Sequence, residues 1–469
     1  MPITLAEAFN PRHNAIGFLR WLMAFAVIFS HAGPLADFYG GHDLGTQFST
    51  EQSLGGVAVC GFFFLSGFLI TKSRQGSSTI FRYFWRRIVR IIPAFWAALL
   101  LTAFVLAPLA WRKERGTWAG YWSAPVDSPL TYFSNNMFLR FNQHNIAQLG
   151  ANIPLGQKGG FDWNGSAWTL LFEFKGYLII GVFGLFGILG YRWLAAAAFG
   201  IMLMLNTMTW GGFGNPAYLD PLLRDYRNVM VLTPFFFGIM FALFGDRIRI
   251  DDRLAIAAGG MAFFTYFIGS GWLIYGQFGF LYLLMWCAVR LPLTNWEKYG
   301  DFSYGIYIYA WPLMQLAAYF GLQHHGWWVY HVTLVVVIHI VAFVSYHLLE
   351  KRAMALKNWT PAWMERLIAT GKPGVDRVKA RLVNPRYSSS HFARRVRDAE
   401  ATAKADVDSD RLTTHVISER VDSTEPLTAD HGERTDADAG RTAPADLPEA
   451  LETTAPETRA ESTSAGAKR

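Results

Sequence analysis

The sequence predicts an all-α, polytopic membrane protein of about ten transmembrane helices with a disordered cytoplasmic C-terminal tail. Three observations predict it. Hydrophobic residues make up 52% of the 469 residues and charged residues only 16%, more apolar surface than a soluble core of this size needs. Apolar stretches recur from residue 15 to residue 349, each near the roughly 20 residues that cross about 30 Å of hydrocarbon. After residue 350 the composition turns abruptly polar.

In chain order the apolar segments fall at about 15–33, 54–71, 86–108, 165–189, 193–209, 229–245, 254–269, 271–289, 301–320 and 327–349. The first contains Arg20 and lacks a small-residue cleavage site, so it reads as a retained helix rather than a removed signal peptide. Only Gly269, Ser270 and Gly271 mark a turn between the seventh and eighth. With the N-terminus inside, the inner connections gather Lys72, Arg74, Arg82, Arg192, Arg247, Arg249, Arg253, Arg290 and Lys298, whereas the outer connections at 34–53, 270 and 321–326 carry no Lys or Arg. The long outer loop, 109–163, weighs little in this rule. Both termini are therefore expected on the cytoplasmic side.

Residues 1–350 form the transmembrane domain in this reading. Residues 351–397 form a basic juxtamembrane segment, either lying against anionic headgroups or simply solvated. Residues 398–469 are too poor in large apolar side chains to offset their ordering entropy. The formal charge of +7 arises from basic residues beside apolar segments, which marks topology and not a nucleic-acid footprint. Cys60 and Cys287 both sit in apolar runs, so neither a disulfide framework nor a thiol metal site is expected.

Ionisable groups inside spanning helices cost about 2.5–3.5 kcal/mol each on insertion scales and call for a reason. Arg20 and His31 share the first helix eleven residues apart, which is about three turns and about 16 Å, so they face one way at two depths. Glu173, about 10 Å into the fourth helix, reaches a depth similar to that of His31. A structural pair with Arg20 or Lys175 is the plain alternative for Glu173. Imidazole, with a pKa near neutrality, suits a general base, although a buried histidine can also be a packing residue. Arg86, Arg87 and Arg90, followed by Pro93, crowd one face at the inner start of the third helix. They serve either as positive-inside anchors or as a phosphate clamp, since the guanidinium fork matches phosphate oxygens.

These elements, in this order, resemble the acyltransferase 3 family of integral membrane acyltransferases. Arg20 and His31 are similar to its Arg, ten residues, His pattern, and Phe62 to Thr71, with Ser66 and Gly67, to its second-helix motif. Arg87 and Arg90, Trp168 to Glu173, and Ser303-Tyr304-Gly305-Ile306-Tyr307 are similar to three further motifs. The resemblance implies that His31 is the catalytic residue with Arg20 as its companion, and that Glu173 is a polar partner of His31 or of the acceptor. It implies that the arginine cluster, Arg86, Arg87 and Arg90, holds the phosphates of a cytoplasmic acyl-coenzyme A. The implied product is an O-acylated, usually O-acetylated, envelope carbohydrate or glycolipid outside a bacterial inner membrane.

Asn164, Ser166, Trp168, Tyr304 and Tyr307 are expected at the substrate site, and the loop aromatics and amides Trp111, Trp118, Trp122, Asn135, Asn136 and Trp163 bind sugar or anchor at the interface. The partners are thus the bilayer, acetyl-CoA or another acyl-CoA as donor substrate, and the acceptor, with no resident cofactor, no metal and no nucleic acid. Two departures stand out: Ala310 replaces a histidine of many members, and Phe174 and Lys175 follow Glu173 where many carry a second acid. Lys175 leaves a succinyl donor open beside acetyl. Direct attack and an acyl-histidine intermediate both remain open, as does a non-enzymatic glycan or lipid transporter.

Overall fold

A computed structural model of the chain describes residues 3–76, 79–211 and 225–359. All ten predicted segments are helical. We label them α1 (Ile16–Ala36), α2 (Leu54–Gln75), α3 (Ile80–Arg115), α4 (Gly165–Leu185), α5 (Arg192–Trp210), α6 (Tyr226–Leu243), α7 (Asp252–Phe267), α8 (Trp272–Arg290), α9 (Ser303–Tyr319) and α10 (Trp327–Asn358). Eight are long and apolar enough to cross a membrane. The expected ten spans are not all matched, because α7 and α9 have only 16 and 17 residues. No residue of α9 is exposed, so its neighbours meet the lipid in its place.

The weakest predicted boundary is a real reversal. Gly271 turns the chain at φ 93°, and Arg290 at the end of α8 reaches Asp252 at the start of α7 (3.5 Å), which makes the two helices antiparallel neighbours. Contacts of the same kind define two faces of the bundle. On the basic face a two-stranded ribbon pairs β1 (Ile3–Thr4) with β2 (Arg249–Ile250), Arg192 pairs with Asp246, and Trp85 donates to the carbonyl of Leu356. On the opposite face Glu51 accepts the backbone N–H groups of Gly271 and Leu273, and Trp327 donates to the hydroxyl of Tyr39.

Small residues bring helices together where lipid supplies no hydrophobic drive. The most extensive pairing is α2 with α6, where any side chain at Gly67 would run into the backbone carbonyl of Phe235 and any at Gly238 into the backbone of Phe64 and Phe68. Three π-turns, Thr102–Leu106, Trp272–Gly276 and Tyr346–Glu350, interrupt α3, open α8 and interrupt α10. Beyond them α3 and α10 continue to Arg115 and Asn358, past the apolar limits of 108 and 349. The remainder of the expected basic segment, from residue 360, and the expected disordered tail lie outside the described residues.

Candidate active site

Two polar clusters occupy the two ends of α1. On the basic face Arg20 and Arg90, from α1 and α3, both bond Oδ2 of Asp301, Arg90 at 2.7 Å. The other oxygen, Oδ1, accepts the Ser303 hydroxyl (2.5 Å) and backbone N–H (3.2 Å) at the start of α9. Burial alone pushes the Asp301 carboxyl up, but the two guanidiniums override it and hold the group well below the usual carboxylate range.

The three expected phosphate ligands do not share one direction. Arg86 donates to Asn358 Oδ1 (3.0 Å), Arg87 to Ser73 Oγ (3.0 Å), and Arg90 to Asp301. At spacings of one, three and four residues the side chains leave α3 on an arc, and each finds a different neighbouring element. Glu173 lies with this cluster rather than with His31: Tyr177 donates to it, and its charge reaches Arg87 and Arg90. Lys175 does not pair with Glu173 either, its ammonium donating to Asn228 Oδ1 (2.9 Å) on α6. Tyr304 donates to the carbonyl of Ile91 (2.9 Å), tying α9 to α3 beside the arginines.

At the other end His31 Nδ1 is 2.8 Å from Asp43 Oδ1, and the same oxygen accepts Ser30 Oγ (3.1 Å). With Nδ1 bonded to a carboxylate, Nε2 is the basic nitrogen. The imidazole is one-fifth exposed and meets the ring of Trp311 edge-on, with centroids 4.8 Å apart. Trp311 Nε1 donates to the carbonyl of Asp162 (2.7 Å), which also takes Gln315 Nε2 (3.1 Å), so the end of the outer loop holds Trp311 in place. Asp162 Oδ2 in turn bonds His144 Nδ1 (2.7 Å).

The remaining expected substrate residues are mostly structural ties. Asn164 bonds Tyr132 (2.7 Å) and Thr102. The hydroxyl of Tyr307 is shared between the Ser166 carbonyl and Thr169 Oγ1, both at 2.7 Å. Trp168 faces Arg227, 5.5 Å from its ring. In the loop, Asn136 and Trp163 are buried, and Asn135 and Asn136 bond Gln143, so these amides build the loop instead of presenting it; Trp118 and Trp122 are exposed. Among the described residues no group of His, Cys, Asp and Glu is placed to hold a metal.

Asp43, Asp301 and Trp311 escaped the sequence reading. Asp301 had a signal, since Arg20 and Arg90 needed a buried counter-charge and Asp301 stands two residues before the Ser303-Tyr304 motif. Asp43 had none.

A multi-helix membrane protein with an imidazole–carboxylate pair at one end and partly buried arginines at the other narrows the class to membrane enzymes and transporters. The chain matches the acyltransferase domain over residues 13–347 and belongs to the acyltransferase 3 family. It is 26% identical over 325 residues to the O-acetyl transferase of Shigella phage Sf6, covering 64% of this chain and 85% of the relative. It is 25% identical over 377 residues to Nodulation protein 10 of Rhizobium leguminosarum bv. viciae, covering 75% and 96%. A shorter match, 30% identical over 92 residues and covering 20% and 24%, is to the acyltransferase MdmB of Streptomyces mycarofaciens. No solved structure matches the chain.

Proposed function

We propose that the protein transfers an acyl group, acetyl in the first instance, from cytoplasmic acyl-coenzyme A to a hydroxyl of an extracytoplasmic envelope glycan or glycolipid, with His31 as general base. The observation that carries this is the His31–Asp43 pair at the end of α1 opposite the arginines. Family membership and the O-acetyl transferase relative support the reaction class. The basic face takes the cytoplasmic side because Lys and Arg concentrate there. A cavity of about 290 Å³ opens on it between Arg12, Asn14, Gly17, Trp296, Glu297 and Lys298, and the charge of Glu297 is felt together with those of Arg20, Arg90 and Asp301. That suits an anionic donor with a long arm.

In this reading Arg20, Arg87 and Arg90 receive the phosphates, and the pantetheine arm spans the roughly 16 Å of α1 to His31. His31 Nε2 takes the acceptor's hydroxyl proton as the oxygen attacks the thioester carbonyl, and Asp43 stabilises the imidazolium that forms. The tetrahedral adduct collapses by breaking the C–S bond. The coenzyme A thiolate leaves with the electron pair and is protonated, leaving an ester and free coenzyme A.

The test uses full-length protein in vesicles with acetyl-coenzyme A and an envelope glycolipid extract, reading thiol release and the mass of the acylated product. His31→Ala made at normal levels should lower turnover by about 10²–10⁴-fold. Wild-type ester formation by that variant would remove His31 from the chemistry, and transport without thiol release would favour the non-enzymatic alternative.

A further inference from the structure

Asp301 occupies the place in which an anionic ligand of Arg20 and Arg90 would sit. The two guanidiniums arrive from different helices and end on a single carboxylate oxygen. The Asp301 side chain is only 13% exposed, against 18% and 31% for the arginines. Guanidinium forks bind carboxylate and phosphate oxygens with the same geometry. A donor phosphate and Asp301 therefore make alternative, mutually exclusive claims on the same donors. Guanidiniums partly withdrawn from water are costly to leave without an anion, which favours the pair holding one partner or the other throughout a cycle. Asp301 itself is fixed, gripped through Oδ1 by the Ser303 hydroxyl and N–H at the start of α9. The long arginine stems are the parts free to turn. Like-charged carboxylates stand around the site, with Glu173, Glu297 and Glu350 all within electrostatic reach of Arg90, so none of them welcomes a second anion.

We propose that Asp301 is an intramolecular counter-anion: it competes with the donor's phosphates for Arg20 and Arg90, and its recapture of both arginines after transfer expels the spent coenzyme A. This rests on the acyl-coenzyme A reading of the arginine cluster. It makes Asp301 a positioning residue that sets how tightly donor and product are held. A merely structural ion pair would lose stability when neutralised but would not tighten ligand binding.

The experiment measures coenzyme A binding to the full chain in lipid nanodiscs by calorimetry at low ionic strength, alongside steady-state turnover. Asp301→Asn should bind coenzyme A about tenfold more tightly than wild type, within the usual range of site-to-site coupling. Its kcat and its KM for acetyl-coenzyme A should fall together, as product release becomes slow. Asp301→Glu should restore both, and Arg90→Gln should weaken binding. If Arg90→Gln weakens binding while a folded Asp301→Asn binds no more tightly than wild type, the counter-anion idea fails and the donor reading stands. If wild type does not bind coenzyme A at all, both fail. Should Asp301→Asn not fold, Ser303→Ala loosens the grip on the same carboxylate and should shift affinity in the same direction by a smaller factor; unchanged affinity there overturns the proposal.

Discussion

His31 owes its orientation to a residue in a loop. Asp37 and Tyr39 adopt left-handed backbone conformations at φ 62° and 55°, reversing the chain after α1 so that Asp43 returns to Ser30 and His31. Asp43→Asn keeps the shape but replaces an obligate acceptor with a group that can also donate, which frees the imidazole to take the wrong tautomer. We expect kcat to fall by on the order of 10²-fold or more with the acceptor KM little changed; an unaltered kcat would show that Asp43 does not act through His31. An imidazole within an apolar run is visible in a sequence because the membrane makes it expensive. Its carboxylate partner is not, because Asp37, Gly40 and Gly41 announce a reversal after α1 without saying which later residue it brings back to His31. Glu173 was misplaced for a related reason. Rise along a helix can be counted from the sequence, but the level at which the helix enters cannot, and α4 carries Glu173 within electrostatic reach of Arg87 and Arg90.

At the level of helices, hydrophobicity was enough to locate ten helical segments, eight of them long and apolar enough to cross a membrane. Their ends were less legible, because α3 and α10 continue into polar sequence through π-turns and the backbone's hydrogen bonding does not require apolar side chains. The second-helix motif illustrates how a pattern can be read correctly for its family and still leave its physics hidden. Gly67 makes the close approach of α2 to α6 possible, with Gly238 reciprocating from the other helix. Both contacts are with backbone atoms, which cannot swing aside as a flexible side chain can. Gly67→Ala should therefore destabilise the protein by about 1–3 kcal/mol through overpacking, read as a lowered midpoint of thermal unfolding in detergent. A variant as stable as wild type would mean that the two helices separate without loss.

Across the whole molecule, a chain of contacts ties the outer loop to the centre: His144 to Asp162, Asp162 to Trp311, and Trp311 to His31. Bonding to Asp162 outweighs burial and raises the pKa of His144 above its ordinary 6.5. The stabilisation it gives the loop is thus fully present below about pH 6.5 and is lost as pH rises through the raised folded value. Hydrogen exchange of the loop should accelerate from about pH 6.5 upward in wild type more steeply than in His144→Gln; parallel profiles would show that the pair does not hold the loop. The shortness of α9 carries a different lesson. At 17 residues it measures about 25 Å, less than the roughly 30 Å of a bilayer's hydrocarbon, and with none of its residues fully exposed that mismatch costs it little. A helix sheltered in this way can be shorter than the hydrocarbon is thick, so its two ends stand about 5 Å closer together than those of a lipid-facing span of full length.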